Sequence, residues 1–101
     1  MPAQTAVHQG CLVRGVTLTA NGTPYRGEIT FYPERAGIYR GVSYTKRHFT
    51  VTPDEVGSWE VRVPPSAVLG VYTVRFAGMT YTLDVPDKPA VQFADLAEVA
   101  K

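Results

Sequence analysis

The stretch Pro53-Asp54-Glu55-Val56-Gly57-Ser58-Trp59-Glu60-Val61-Arg62-Val63-Pro64-Pro65 decides the fold. Pro53 holds φ at about −65°, Asp54 bonds nearby amides and Gly57 tolerates a left-handed backbone, so the three together reverse the chain. From Ser58 to Val63 the residues alternate. Trp59, Val61 and Val63 share one face while Ser58, Glu60 and Arg62 share the other, which is the period of a half-buried strand. Pro64 and Pro65 cannot donate to a ladder and restrict the residue before each of them, so the strand stops there. Turn, strand and stop make one unit of a β domain. Burial of Trp59, worth about 2–3 kcal/mol, is expected at the centre of its core.

Strand-like alternation also appears on either side. Phe49 and Val51 alternate with His48, Thr50 and Thr52, and Ile29 and Phe31 alternate with Glu28 and Thr30 until Pro33 ends the run. Asn21-Gly22 supplies a tight reversal after a first strand in which Leu12, Val16 and Leu18 share their parity with Arg14, a flaw in that strand. Downstream, Tyr72, Val74 and Phe76 turn at Ala77-Gly78 and return through Tyr81, Leu83 and Val85, which predicts a hairpin over 71–85. Pro86-Asp87-Lys88-Pro89 breaks it. The segment 91–101 satisfies neither period and reads as one helical turn or an extended tail.

Short strands, turn signals about every 8–12 residues and no long helix predict an all-β fold, a small antiparallel β-sandwich of the Ig-like or transthyretin-like kind. The expected organisation is an N-terminal arm at 1–11, a sandwich domain at 12–86 and a C-terminal tail at 87–101. The expected core is Ile29, Phe31, Trp59, Val61, Val63, Tyr72, Val74 and Phe76.

The chain has 101 residues, room for one domain that buries about 60–70% of its unfolded surface. No apolar run approaches the roughly 18 residues of a membrane span. The start, Met1-Pro2-Ala3-Gln4-Thr5-Ala6-Val7-His8, has neither the basic nor the apolar segment of a secretory signal, so a soluble protein folded in a cytosol is expected. A formal charge of +1 gives no field to gather nucleic acid from a distance. The lone Cys11 has no internal disulfide partner and reads as a small buried apolar residue.

Chemical constellations are sparse. Cys11, His8 and His48 stand in three separate contexts, with no nucleophile motif and no zinc-ligand spacing. No glycine-rich phosphate loop occurs. Asp54 and Glu55 beside Gly57 offer too few oxygens for calcium and read as a turn. Glu28, Glu60 and Asp84 fall on outward positions of different strands. No catalytic, metal-binding or cofactor-binding residue is therefore assigned. The segment 34–47 reads as a long loop or a weak edge strand, and the most suggestive surface is 39–48, where Tyr39, Arg40, Tyr44, Lys46 and Arg47 interleave rings and cations. Tyr and Arg favour protein contacts. A solvated edge whose cations discourage aggregation, and a platform for sugars or bases, are the competing readings.

Taken together, Val13-Arg14-Gly15-Val16, the run Asn21-Gly22-Thr23-Pro24-Tyr25-Arg26-Gly27-Glu28-Ile29-Thr30-Phe31-Tyr32-Pro33, the turn Thr52-Pro53-Asp54-Glu55-Val56-Gly57-Ser58-Trp59, then Gly70-Val71-Tyr72-Thr73-Val74 and Val85-Pro86 form a pattern. Over roughly residues 12–96 it resembles the small transthyretin-like or carboxypeptidase-regulatory-like β-sandwich found in minor tail and fibre proteins of phages. Pro53 between Thr52 and Asp54, and Val56 where a second acidic residue is common, depart from that pattern. The resemblance implies a non-enzymatic structural protein of a virion, assembled in the host cytoplasm. A small minor tail or tail-tip component is expected, a homo-oligomer around a symmetry axis with other tail or capsid subunits as partners. A capsid decoration protein is the alternative within that class. Outside it stands a carbohydrate-binding module presenting Trp59 or the tyrosines of 39–44 to a host glycan.

Overall fold

The computed structural model describes residues 10–100. Most of the arm expected at 1–11, and with it His8, lies outside the described residues. Its last residue does not belong to an arm, because Cys11 is buried and opens the first strand.

Among the described residues ten strands and two single helical turns follow one another: β1 (Cys11–Val16), β2 (Ile29–Tyr32), β3 (Gly37–Tyr39), β4 (Val42–Tyr44), β5 (Phe49–Val51), β6 (Ser58–Val63), α1 (Ser66–Leu69), β7 (Tyr72–Phe76), β8 (Met79–Leu83), β9 (Ala90–Gln92), α2 (Phe93–Leu96) and β10 (Glu98–Val99). The fold is all-β. One sheet has the order β6-β1-β9, a second the order β10-β8-β7-β2-β5, and β3-β4 stands as a separate hairpin. Every pairing is antiparallel except β1 with β9, which is parallel, so the three-stranded sheet is mixed where a purely antiparallel one was expected. No helix among the described residues is long and apolar enough to cross a membrane.

The inward faces of the two larger sheets supply one apolar cluster. Val13, Trp59 and Val63 come from the first sheet, and Ile29, Phe31, Tyr72, Val74 and Leu83 from the second. All eight residues expected in the core belong to it or pack against it, with Val61 and Phe76 only half-buried. Trp59 links two aromatic groups: Phe31, with Phe49 and Tyr72 around it, and Phe93, with Phe76 and Tyr81 around it.

Two local readings are corrected. In β1 the buried parity is Cys11 and Val13, so Arg14 is no flaw: it faces solvent opposite its cross-strand partner Glu60, 3.6 Å away, and Val16 and Leu18 are exposed. Of the tail expected at 87–101, the described residues 90–99 are part of the body. Val91 pairs with Val13, Val99 with Tyr81, and Phe93 is buried against Trp59. Strands of three and two residues and one helical turn are too short to show any period, which is why the segment reads as irregular.

The quoted stretch folds as its residue types dictate. The Asp54 Oδ1 accepts the amides of Val56 and Ser58 at 3.0 and 2.9 Å, and Gly57 takes a φ of 86°. An added Cβ there would stand 2.7 Å from the Thr17 carbonyl oxygen, so only glycine fits. β6 ends before Pro64, whose carbonyl accepts the buried Tyr72 hydroxyl at 2.8 Å. Ser66 then exchanges two bonds with Val85, its amide to the Val85 carbonyl and the Val85 amide to its hydroxyl.

Candidate functional site

The segment 34–47 is a hairpin of its own and joins neither large sheet. Arg40 and Gly41 have φ values of 51° and 80°, and two successive positive angles give the turn whose twist matches the strands it joins. Arg-Gly is a weak cue for that turn because a side chain in this region costs about 1–2 kcal/mol, so the sequence did not announce it. Close packing holds the hairpin in place. Gly37 lies on α1, where an added Cβ would be 2.8 Å from the Val68 carbonyl oxygen. The amides of Glu34 and Arg35 both donate to the Leu69 carbonyl at 3.0 Å, and an Arg35 guanidinium nitrogen donates to the Ala67 carbonyl at 3.1 Å.

The five residues expected to form one contact surface are divided between two concavities. Tyr39 donates its hydroxyl to Asp87 Oδ1 at 3.1 Å, and the Arg40 guanidinium stands 5.2 Å over the Tyr39 ring. Burial first, and then the bond to the Asp87 carboxylate, push the Tyr39 phenol above its ordinary range. Arg62 and Lys88 complete this polar cleft of about 300 Å³. Tyr44 and Arg47 instead line an apolar groove of about 370 Å³ with Phe49, Val61, Val63 and Leu69. Lys46 is exposed and lines neither. Sequence reasoning missed Asp87, Arg62 and Lys88 because they reach Tyr39 from strands and turns distant in the chain, with no shared motif.

Trp59 is not available as a platform. Only 5% of it is exposed, its Nε1 donates to Thr17 Oγ1 at 3.0 Å, and one edge of the indole covers Gly15. Of the carboxylates read as outward, Glu60 pairs with Arg14, while Glu28 and Asp84 are exposed. The Cys11 thiol is buried, and that burial raises its pKa. His48 is exposed, its ring 5.4 Å from that of Tyr32. Among the described residues no group of three or more His, Cys, Asp or Glu side chains converges. Among the described residues the surface offers strand edges, several shallow concavities, of which one of about 510 Å³ is lined by Arg14, Thr52, Glu60 and Gln92, and single exposed apolar side chains.

No protein-family model matches the chain, and a search of curated proteins found no match.

Proposed function

We propose that this chain is a structural subunit of a phage particle, a small minor tail or tail-tip component that works by assembling with copies of itself and with other virion proteins. In this reading the two sheets are the layers of a transthyretin-like sandwich, and the body is a rigid unit whose edges and concavities are occupied by neighbours. One observation supports it most. The residues that carry the resemblance also carry the fold: Asp54 closes the turn, Gly57 fits only as glycine and Trp59 joins the aromatic groups of the two sheets. Sugar recognition by Trp59 is disfavoured, since a stacking platform needs an open ring face and this indole has none.

The test is to raise antibodies against the chain and label purified particles for electron microscopy, with mass spectrometry of the same preparation. Gold at the tail tip and peptides in the particle are expected. Label on the head would replace the tail reading by capsid decoration. Absence of the protein from every particle would remove the proposal.

A further inference from the structure

We infer that β6 is a self-pairing edge, at which two copies of this chain join their three-stranded sheets into one six-stranded sheet about a two-fold axis at Val61.

β6 is the outer strand of the order β6-β1-β9. Thr17 donates its amide to the Gly57 carbonyl at 2.9 Å. In an antiparallel ladder such bonding residues alternate, so the backbone groups of Trp59, Val61 and Val63 face β1 and those of Ser58, Glu60 and Arg62 face outward. Asp54 occupies both groups of Ser58: its Oδ1 accepts the Ser58 amide, and its own amide donates to the Ser58 carbonyl at 2.8 Å. The amides and carbonyls of Glu60 and Arg62 remain, and no described residue outside β6 bonds to them. Four such groups in a row form a template for another strand.

Charge selects the occupant. Place a second β6 antiparallel with Val61 opposite Val61, and Glu60 falls opposite the second copy's Arg62, while Arg62 falls opposite its Glu60. Both members of each pair point their backbone groups across the seam, so the register meets the bonding alternation and forms four hydrogen bonds. Opposite charges directly across a ladder attract. The row continues inward, because Glu60 already faces Arg14 on β1, and each carboxylate then lies between two guanidinium groups. The arrangement is self-complementary, as a two-fold contact must be. It also brings the apolar grooves that hold Val61 and Val63 next to one another.

The other edges of the two larger sheets lack this pattern. β10 has two residues, β9 has three and follows Pro89, and β5 has three with uncharged Thr50 facing outward.

The inference stands apart from the virion reading, since it concerns the chain alone in solution. Sedimentation velocity on the full chain over a concentration series tests it. The wild type is expected to dimerise. Glu60→Arg and Arg62→Glu, each alone, set like charges opposite one another and weaken association by about tenfold or more. An equal mixture of the two variants restores association, because an all-basic edge then meets an all-acidic one. Arg62→Pro removes an outward amide while sparing the β1 ladder, so it abolishes the dimer and leaves the circular dichroism spectrum and melting profile close to wild type. A wild type that sediments as a monomer throughout, single variants that dimerise like the wild type, or a mixture no tighter than its components would each overturn the inference.

Discussion

Gly15 and Trp59 are cross-strand partners, and the edge of the indole that carries Nε1, Cε2 and Cζ2 lies against the glycine. A Cβ at residue 15 would stand within van der Waals overlap of the ring, so this single absence of a side chain lets Trp59 fold down across β1 and reach the Thr17 hydroxyl. Gly15→Ala is expected to destabilise the fold by about 1–3 kcal/mol through overpacking. Urea denaturation measures the loss. Because the sequence holds one tryptophan, a red shift of its emission reports the displaced ring, and unchanged emission at unchanged stability would contradict this packing.

Asp54→Ala removes the acceptor shared by the Val56 and Ser58 amides. A loss of about 1–2 kcal/mol is expected, with Asp54→Asn losing less because its amide oxygen still accepts. Chemical denaturation of the two variants side by side decides this, and equal losses would show that the carboxylate charge matters more than the turn geometry.

Phe93→Ala should cost about 3–5 kcal/mol, the range for an aromatic residue removed from a core. Phe93 contacts the rings of Trp59, Phe76 and Tyr81. A C-terminal segment that merely trailed from the body would give no loss, so thermal unfolding of this variant separates the two descriptions cleanly.

Alkaline pH should loosen the protein. The Tyr72 phenol is raised above its ordinary value of 10.0 chiefly by burial, with the neighbouring Tyr44 adding to it, and the Tyr39 phenol is raised by burial and by the Asp87 carboxylate. For an acid whose folded pKa exceeds its unfolded one, the folded state holds its proton longer. The contribution is complete below the unfolded pKa and is lost as pH rises through the folded one. Stability is therefore expected to fall from about pH 10 upward. Tyr39→Phe should flatten part of that fall. Urea midpoints measured across alkaline pH provide the check, and an identical slope in the variant would exclude Tyr39 as a contributor.

Much of the fold was legible because its strands β2, β5, β6, β7 and β8 alternate cleanly and are separated by glycine and proline turns. Ile29, Phe31, Tyr72 and Val74 were readable as core from parity alone, and Asp54 from its position before Gly57. Where reading failed, length or an unusual turn was the cause. In β1 the parity richer in large aliphatic residues is half-buried or exposed, because the core takes the smaller Cys11 and Val13 while Gly15 leaves room for Trp59. The hairpin β3-β4 was hidden by an Arg-Gly turn and by strands too short to alternate. For the candidate surface, sequence proximity grouped Tyr39 with Tyr44, yet three-dimensional neighbours assign Tyr39 to Asp87 and Tyr44 to the groove beside β6.

The place of β1 also bears on how the molecule reaches its native state. This first strand is flanked by β6 from the middle of the chain and by β9 from near its end, whereas β7 and β8 meet across a two-residue turn. Closing a local hairpin costs little chain entropy, while bringing β1 between two remote strands costs more. The 72–83 hairpin is therefore expected to form before β1 docks between its two flanks. Until β1 docks, β6 and β9 each lack a partner on that side, and unpaired edges of this kind invite aggregation.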